Sequence, residues 1–202
     1  MATQAFERRP GSVARTLRIL GISGSARRGS FNTALLKAAK EQAPPGVTLE
    51  IFDVSGLPLF NQDLEAELPE VVRAFKDEIR RADAVLFSTP EHNYSVTALL
   101  KNAIEWGNRP ETDNSWDGKP AAMMSASTSA RGGARAQLQL RQIMVDLNVY
   151  PMNQPQLLVA KAQEKFDSAL KLTDERLKGR LRDLLLALMD WTKRMQPYGA
   201  GV

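Results

Sequence analysis

The chain has 202 residues, 43% of them hydrophobic and 25% charged, and such a length and composition favour one compact α/β domain with an apolar core. Its net charge of +4 favours anionic ligands, but the basic residues alternate with acidic ones and form no run, which argues against a nucleic-acid partner. Because there is no cysteine, disulfides, thiolate nucleophiles and cysteine-bound metal centres are excluded, and redox chemistry needs a bound cofactor.

The first half of the chain predicts strands and helices in alternation. Residues 1–16 lack the apolar core of a secretory signal, so we expect a flexible lead-in and a cytoplasmic protein. An apolar run at 17–23 predicts a buried strand, and a helix follows from about Asn32 until Pro44. The alternating segment 47–53 predicts a second strand.

The pattern continues through the middle of the chain. Turn-forming residues at 55–63 predict a loop, after which Pro69 opens a helix. The apolar run 82–90 predicts the third strand. Another amphipathic helix then ends near Gly107 and Pro110.

The last part of the domain repeats the pattern twice. We predict strands at 119–125 and 154–160 with a helix between them that carries Leu140 and Met144, and a final helix over about 174–195. Residues 197–202 form a flexible tail, so the domain spans 17–196. Five strands that alternate with helices predict a doubly wound, five-stranded parallel sheet with helices on both faces, and no run is long enough for a membrane span.

In such a sheet, ligands bind outside the carboxyl ends of the strands. Three predicted loops leave those ends, at 23–32, 89–96 and 125–133. The first has the composition of a phosphate site, because hydroxyls, an amide and guanidinium groups precede a helix whose first N–H groups are free. These residues are Ser23, Ser25, Ser30, Asn32 and Arg27 or Arg28. The alternative is that Ser30 or Asn32 only caps the helix.

Three glycine-loop motifs do not fit. Gly24 and Gly29 have the spacing of a P-loop, but Ser30 stands where the lysine is required. The dinucleotide motif GxGxxG is absent. The serine-hydrolase motif GxSxG is missed because Ser25 occupies its last position.

Four segments together resemble a known family. They are GSARRGSFN after the first strand, LPLFNQD at 57–63, TPEHNYS at 89–95 and LLKNAIEWGNRP at 99–110. Their joint spacing resembles the NADPH-dependent FMN reductases, a flavodoxin-like family that includes quinone, chromate and azo-dye reductases. The resemblance covers about residues 17–160. The family usually has Tyr at the position of His92 and often Pro-Gly at 97–98.

The resemblance implies a cofactor site built from the three loops, with no metal. In the first loop, the residues that would bind the FMN phosphate are Ser23, Ser25, Arg27, Ser30, Asn32 and Thr33. In the second, those that would line the isoalloxazine ring are Pro90, Glu91, His92, Asn93 and Tyr94. The third loop, 126–133, would close over the other side of the ring through Ser127, Arg131 and Gly132.

The resemblance also implies the chemistry. NADPH or NADH passes a hydride to flavin N5, and an acceptor such as a quinone, chromate, an azo compound or free flavin then takes it, without a protein nucleophile. Homodimers or homotetramers are implied, with 57–68 and 100–118 as contact regions.

Two alternative functions stay open. One is an electron carrier that oxidises no NAD(P)H, and the other is a phosphate-binding regulatory module, for which Asp53 is the one acidic strand-end residue.

Some roles stay open at this stage. N–H groups near Gly132 and Gly133 would stabilise negative charge on the reduced ring, or these glycines only permit a tight turn. We expect the single histidine, His92, to pack beside the flavin rather than transfer protons. Arg131 and Arg135 would form salt bridges, meet a nicotinamide nucleotide phosphate or lie in solvent.

Overall fold

The computed structural model describes residues 15–195. The predicted lead-in (apart from residues 15 and 16) and the predicted tail lie outside these residues. Strands within the described range are β1 (Leu17–Ser23), β2 (Val47–Phe52), β3 (Ala84–Ser88), β4 (Pro120–Ala126), β5 (Tyr150–Pro151) and β6 (Leu157–Val159). Helices are α1 (Phe31–Glu41), α2 (Glu70–Arg81), α3 (Ala98–Asn108), α4 (Ala134–Asp146) and α5 (Glu175–Met195).

All the strands pair in parallel, in the order β2-β1-β3-β4-β5, with β6 also beside β4. Each apolar strand buries alternate side chains on opposite faces, because successive residues of a strand point to opposite sides. In β1, Ile19 contributes to one core and Ile22 to the other. Helices α1 and α5 cover the first face and α2, α3 and α4 the second, which confirms the predicted doubly wound architecture.

The fifth strand differs from the prediction. One strand was expected over 154–160, but the last position of the sheet is divided between β5, which pairs with the start of β4, and β6, which pairs with its end. Pro151 and Pro155 have no N–H to donate, so a continuous ladder is not available to this segment. Met152 supplies one linking bond, from its N–H to the oxygen of Ala121 at 2.9 Å.

The predicted loop at 55–63 is ordered by α3. Two short 3₁₀ turns, Val54–Gly56 and Gln62–Leu64, lie in or beside it. The indole N–H of Trp106 donates to the oxygen of Pro58 at 2.7 Å, and the Asn102 amide bonds both Pro58 and the N–H of Phe60. Trp106 is completely buried. No helix within the described range has the length and apolar character needed to cross a membrane.

The strand order places a crevice at one end of the sheet. The chain moves from β1 outward to β2, then crosses back to β3 and continues in the opposite direction. The loops after β1 and β3 therefore diverge, and Ser23 and Ser88 lie side by side in the register where the two strands end. Ligands of doubly wound sheets bind at such a point.

Candidate functional site

A cavity of about 500 Å³ opens at this crevice. That volume lies within the range of small-molecule and cofactor sites. Its walls come from all three predicted loops and from the start of α3. The lining residues are Gly24, Ser25, Ala26, Arg27, Ser30, Phe31, Asn32, Pro90, Glu91, His92, Thr97, Ala98, Leu99, Ala126, Ser127 and Thr128.

The loop after β1 presents backbone donors to the cavity. Ser30 is the N-cap of α1, and its hydroxyl accepts from the N–H of Thr33 at 3.2 Å. The N–H groups of Ala26, Phe31 and Asn32 have no acceptor within residues 15–195, and all three residues line the cavity. Unsatisfied N–H groups at the positive end of a helix dipole favour an anion.

Asn32 is buried and links the loop to the sheet. Its Nδ2 donates to the oxygen of Ala126 at 2.9 Å, and its Oδ1 accepts from the N–H of Ala126 at 2.9 Å and from the hydroxyl of Ser88 at 3.3 Å. The side chain therefore fixes the start of α1 against the ends of β3 and β4. The second hydrogen of Nδ2 and the backbone N–H of Asn32 have no acceptor within residues 15–195, so the side chain holds the loop in place and its contact with the phosphate stays a prediction.

Ser23 and Thr33 lie behind the same loop. Their hydroxyl oxygens are 2.8 Å apart, and the hydroxyl of Thr33 donates to the oxygen of Ser25 at 3.3 Å. Neither residue lines the main cavity, and both line a smaller one beside it. Through these contacts the two residues support the loop on the side away from the main cavity. Arg27 lines both cavities and donates to the oxygen of Gly29 at 2.9 Å.

The loop after β3 turns back as a two-residue hairpin. His92 and Ser95 exchange N–H to oxygen bonds of 3.0 and 2.9 Å. Between them Asn93 and Tyr94 have φ of 48° and 69°, the left-handed conformation that a tight hairpin requires at both central residues. Pro90, Glu91 and His92 line the cavity, whereas Asn93 and Tyr94 do not.

Glu91 connects this loop to α4. One carboxylate oxygen accepts from the backbone N–H of Arg135 at 3.1 Å, and the other accepts from the Nε of Arg135 at 2.5 Å and also contacts Nη2. Burial alone would raise the pKa of Glu91, but the hydrogen bonds and the positive charge of Arg135 outweigh it and hold that pKa below its usual value. The Arg135 guanidinium also lies over the ring of Tyr94, 3.4 Å from its centroid.

This connection changes two predicted roles. The first-turn N–H of α4 donates to a carboxylate, so a negative charge already lies at this helix start, where the sequence suggested a site for charge on the reduced ring. Tyr94, expected beside the ring, instead lies outside the cavity with its side chain 66% exposed and stacked on Arg135. Arg135 is thus a residue of the site whose role the sequence left open.

The third loop is held by a buried polar network. The hydroxyl of Ser125 donates to the oxygen of Gly132 at 2.5 Å, and Gln137 donates to Ser125 at 2.8 Å. Gly133 has φ of 84°, and a Cβ there would lie 2.8 Å from the Cβ of Ser125, so only glycine fits. Ser127 lines the cavity, but Gly132 and the exposed Arg131 do not.

Thr97 and Gly24 join two loops in a contact that the sequence did not reveal. Thr97 caps α3 by accepting from the N–H of Leu100 at 3.1 Å, and its hydroxyl donates to the oxygen of Gly24 at 2.7 Å. Gly24 lies so close to the next loop that a Cβ there would be 2.5 Å from the hydroxyl oxygen of Thr89. Position 97 is one where the family resemblance leads us to expect proline. Here its hydroxyl supplies the bond between the loops.

Comparison with known proteins decides the family. Residues 17–164 match the family described as NADPH-dependent FMN reductase. The chain belongs to this family. It is therefore an oxidoreductase that uses FMN and NAD(P)H, in agreement with the resemblance of its motifs, and the family assignment favours an enzyme over the carrier and the regulatory module.

Individual relatives agree over nearly the whole length. An NAD(P)H-dependent FMN reductase of Pseudomonas aeruginosa is 45% identical over 181 residues, covering 89% of this chain and 97% of the relative. An NADPH:quinone oxidoreductase of Arabidopsis thaliana is 44% identical over 187 residues, covering 89% and 94%. A flavoenzyme of Paracoccus denitrificans, an NAD(P)H:(acceptor) oxidoreductase, matches in structure with a TM-score of 0.82 at 34% identity, covering 89% and 98%.

The residues present fit FMN. The cofactor joins a dianionic phosphate to a flat ring, and the cavity combines free N–H groups at one helix start with walls from two further loops. Within the described residues there is no cluster of side chains that could hold a metal ion.

Proposed function

We propose that this enzyme uses NADPH, and also NADH, to reduce quinones in a cavity where FMN is held by the loops after β1, β3 and β4. The observation that carries the proposal is the cavity at the β1 and β3 crevice, with free N–H groups of Ala26, Phe31 and Asn32 on one wall. Support for the acceptor comes from relatives named as quinone reductases, including one from Pseudomonas putida at 42% identity over 177 residues.

The first loop has the groups to hold the phosphate. The hydroxyls of Ser25 and Ser30, the guanidinium of Arg27 and the free backbone N–H groups bind it, while Asn32 keeps the loop in place. Anions are stabilised there by charge-assisted hydrogen bonds and by the helix dipole. Ser23 and Thr33 act behind the loop as supports.

The other two loops provide the walls for the ring. Residues 90–92 form one side, with Glu91 tied to α4, and Ala126, Ser127 and Thr128 form another. FMN, when bound, supplies a ring that accepts hydride from a nicotinamide and passes it on, so the protein needs no nucleophile. The chain's own task is to orient the two substrates and limit water. Exposed His92 lies at the rim, and we assign it a packing role.

The acceptor range and assembly belong to the same proposal. Chromate, azo compounds and free flavin are further acceptors, because a cavity open on one side accommodates different shapes. Self-association into homodimers or homotetramers stays a prediction, as do 57–68 and 100–118 as contact regions. Leu59, in the first of these segments, is 82% exposed, and an exposed apolar side chain of this kind is typical of a residue that contacts another subunit.

One anaerobic experiment tests the function. We expect the purified protein to show a visible flavin absorption band that bleaches on adding NADPH without oxygen and returns on adding a benzoquinone. Chromate, an azo dye and free FMN are then compared as acceptors in the same cell. A band that stays oxidised with NADPH, yet bleaches with dithionite, would contradict the enzyme and favour an electron carrier.

A variant of Ser30 separates phosphate binding from capping. We expect Ser30→Ala to lower the free energy of unfolding by about 1 kcal/mol, because the cap to Thr33 is lost. We expect the dissociation constant for FMN to rise about tenfold, since a hydrogen bond to a charged group is worth about 1.5–3 kcal/mol. Flavin-fluorescence titration and urea unfolding measure the two effects.

The control for this variant is Ser30→Thr, which keeps the hydroxyl and retains both properties. If Ser30→Ala loses stability but binds FMN as tightly as the unchanged protein, Ser30 is a cap only.

A further inference from the structure

A second cavity of about 300 Å³ adjoins the first. It lies between the loop after β1 and the carboxyl end of β2, on the side of the loop away from the β3 crevice. The two cavities share the lining residues Ser25, Ala26, Arg27 and Leu99. Because their walls are shared, one extended ligand can occupy both.

Two walls of this cavity differ in chemistry. Ile51, Phe52 and Leu99 provide a partly buried apolar wall. The polar wall comes from Asp53 and Ser55, which follow Phe52 in the chain. Asp53 accepts from the N–H of Ser55 at 2.9 Å and from its hydroxyl at 2.7 Å. Both bonds go to Oδ1, so Oδ2 of Asp53 is open to a donor. The bonds from Ser55 lower the pKa of Asp53, which is therefore ionised at neutral pH.

Arg28 supplies an uncommitted cation. Its side chain is exposed and lines this cavity but not the first one. Its guanidinium makes no hydrogen bond or ion pair within residues 15–195, whereas neighbouring Arg27 is engaged with the oxygen of Gly29. An unpaired guanidinium beside an apolar wall is suited to a phosphate monoester.

We infer that this second cavity binds the adenosine end of the nicotinamide nucleotide, with Asp53 taking a ribose hydroxyl of NADH and Arg28 taking the 2′-phosphate of NADPH. The apolar wall at Phe52 and Leu99 receives the adenine ring. Rossmann dinucleotide sites discriminate the two nucleotides with the same pair of groups, a strand-end carboxylate that binds ribose and an arginine that accommodates the additional phosphate. The inference rests on the proposed function, because it places the second half of that enzyme's reductant.

A basic groove beside the carboxyl end of β6 is less suitable. It is lined by Lys165, Arg176 and Arg180, but Lys165 pairs with Asp174 at 2.6 Å. Asp174 in turn caps α5 by accepting from the N–H of Leu177. This groove shares no lining residue with the FMN cavity. A nucleotide whose nicotinamide lies in the FMN cavity therefore has no continuous surface that leads into the groove.

Opposite charge changes at the two residues test the inference. We expect Arg28→Ala to raise the KM for NADPH about tenfold, because one charge-assisted contact is lost. The KM for NADH should rise by a factor several times smaller. We expect Asp53→Asn to do the reverse: it raises the KM for NADH and lowers that for NADPH, because repulsion of the 2′-phosphate is removed. Asparagine keeps an oxygen for the N–H of Ser55, so the local turn is retained.

Binding of adenosine 2′,5′-bisphosphate provides a measurement independent of turnover. Calorimetry on the FMN-loaded protein should show binding that Arg28→Ala weakens about tenfold. The control is Arg182→Ala on α5, which removes an equal charge from a residue that contacts Gln42, and it should leave the affinity unchanged. Equal weakening by both variants would show that only net charge matters and would overturn the site.

Two further results would also overturn the inference. They are an Arg28→Ala variant that changes the KM of NADH and NADPH equally, and no binding of the bisphosphate at millimolar concentration. If FMN still binds and NADPH still bleaches it in that protein, the proposed function stands and only the adenosine site fails. If neither FMN nor NADPH acts, the proposed function itself fails.

Discussion

Replacement of Asn32 by alanine should lower the free energy of unfolding by about 2–5 kcal/mol, because it leaves the buried N–H and oxygen of Ala126 without partners. The Asn32 side chain is the link between the first loop and the end of β4, and it also accepts from Ser88. We expect the affinity for FMN to fall more than tenfold as the loop separates from the sheet. Urea unfolding and flavin-fluorescence titration measure the two quantities.

The matched control is the same substitution at an exposed asparagine. Asn61 accepts from the N–H of Asp63 at 3.0 Å in the turn Gln62–Leu64, where water can replace its amide. We expect Asn61→Ala to cost at most about 1 kcal/mol and to leave FMN binding unchanged. Equal losses of stability from the two variants would refute the linking role of Asn32.

The fold could be predicted because its signals are local. The run at 17–23 is mostly apolar, with Arg18 near its start and Ser23 at its end, as is typical of a strand buried on both faces, and the structure has β1 at Leu17–Ser23 with Arg18 partly exposed. Capping residues and prolines set the helix ends in the same way. The exception is the end of the sheet, where the strand expected over 154–160 is only β6, Leu157–Val159, and the short β5, Tyr150–Pro151, lies before the expected range. The sequence pattern indicated an apolar strand there but took no account of the backbone N–H groups that Pro151 and Pro155 lack.

Roles within the site were harder to predict, because they depend on contacts between distant parts of the chain. Asn32 precedes a helix and therefore resembles a cap or a phosphate ligand, while its partner Ala126 is 94 residues away. Only the strand order β1-β3-β4 brings the two together. Glu91 and Arg135, 44 residues apart, are a second example.

The hairpin of the second loop was missed for a different reason. Two-residue turns of this kind favour glycine or asparagine at their central positions, and Tyr94 is neither glycine nor asparagine. Its ring is held under the Arg135 guanidinium, a contact that stabilises the unusual backbone from outside. Local sequence gives no sign of such a partner.

Replacement of Glu91 by alanine should lower the free energy of unfolding by about 1–3 kcal/mol, because it leaves the Arg135 side chain and the start of α4 without their acceptor. The side chain of Glu91 is 11% exposed and that of Arg135 is 28% exposed, so solvent screens the pair in part. We expect weaker FMN binding as well, since residues 90–92 form a wall of the cavity. Thermal or urea unfolding of Glu91→Ala, Arg135→Ala and the double variant measures the coupling.

The pH dependence distinguishes this ion pair from simple packing. The pKa of Glu91 in the folded protein is lower than its unfolded value near 4.5, so the carboxylate stabilises the fold above that value. The contribution is lost as pH falls below 4.5 and through the lowered folded pKa. The stability difference between the unchanged protein and Glu91→Gln should therefore be constant from pH 8 to about 6 and shrink below about pH 4. A difference that stays the same at acid pH would mean that Glu91 acts through its shape and not its charge, and the electrostatic link between the second loop and α4 would have to be abandoned.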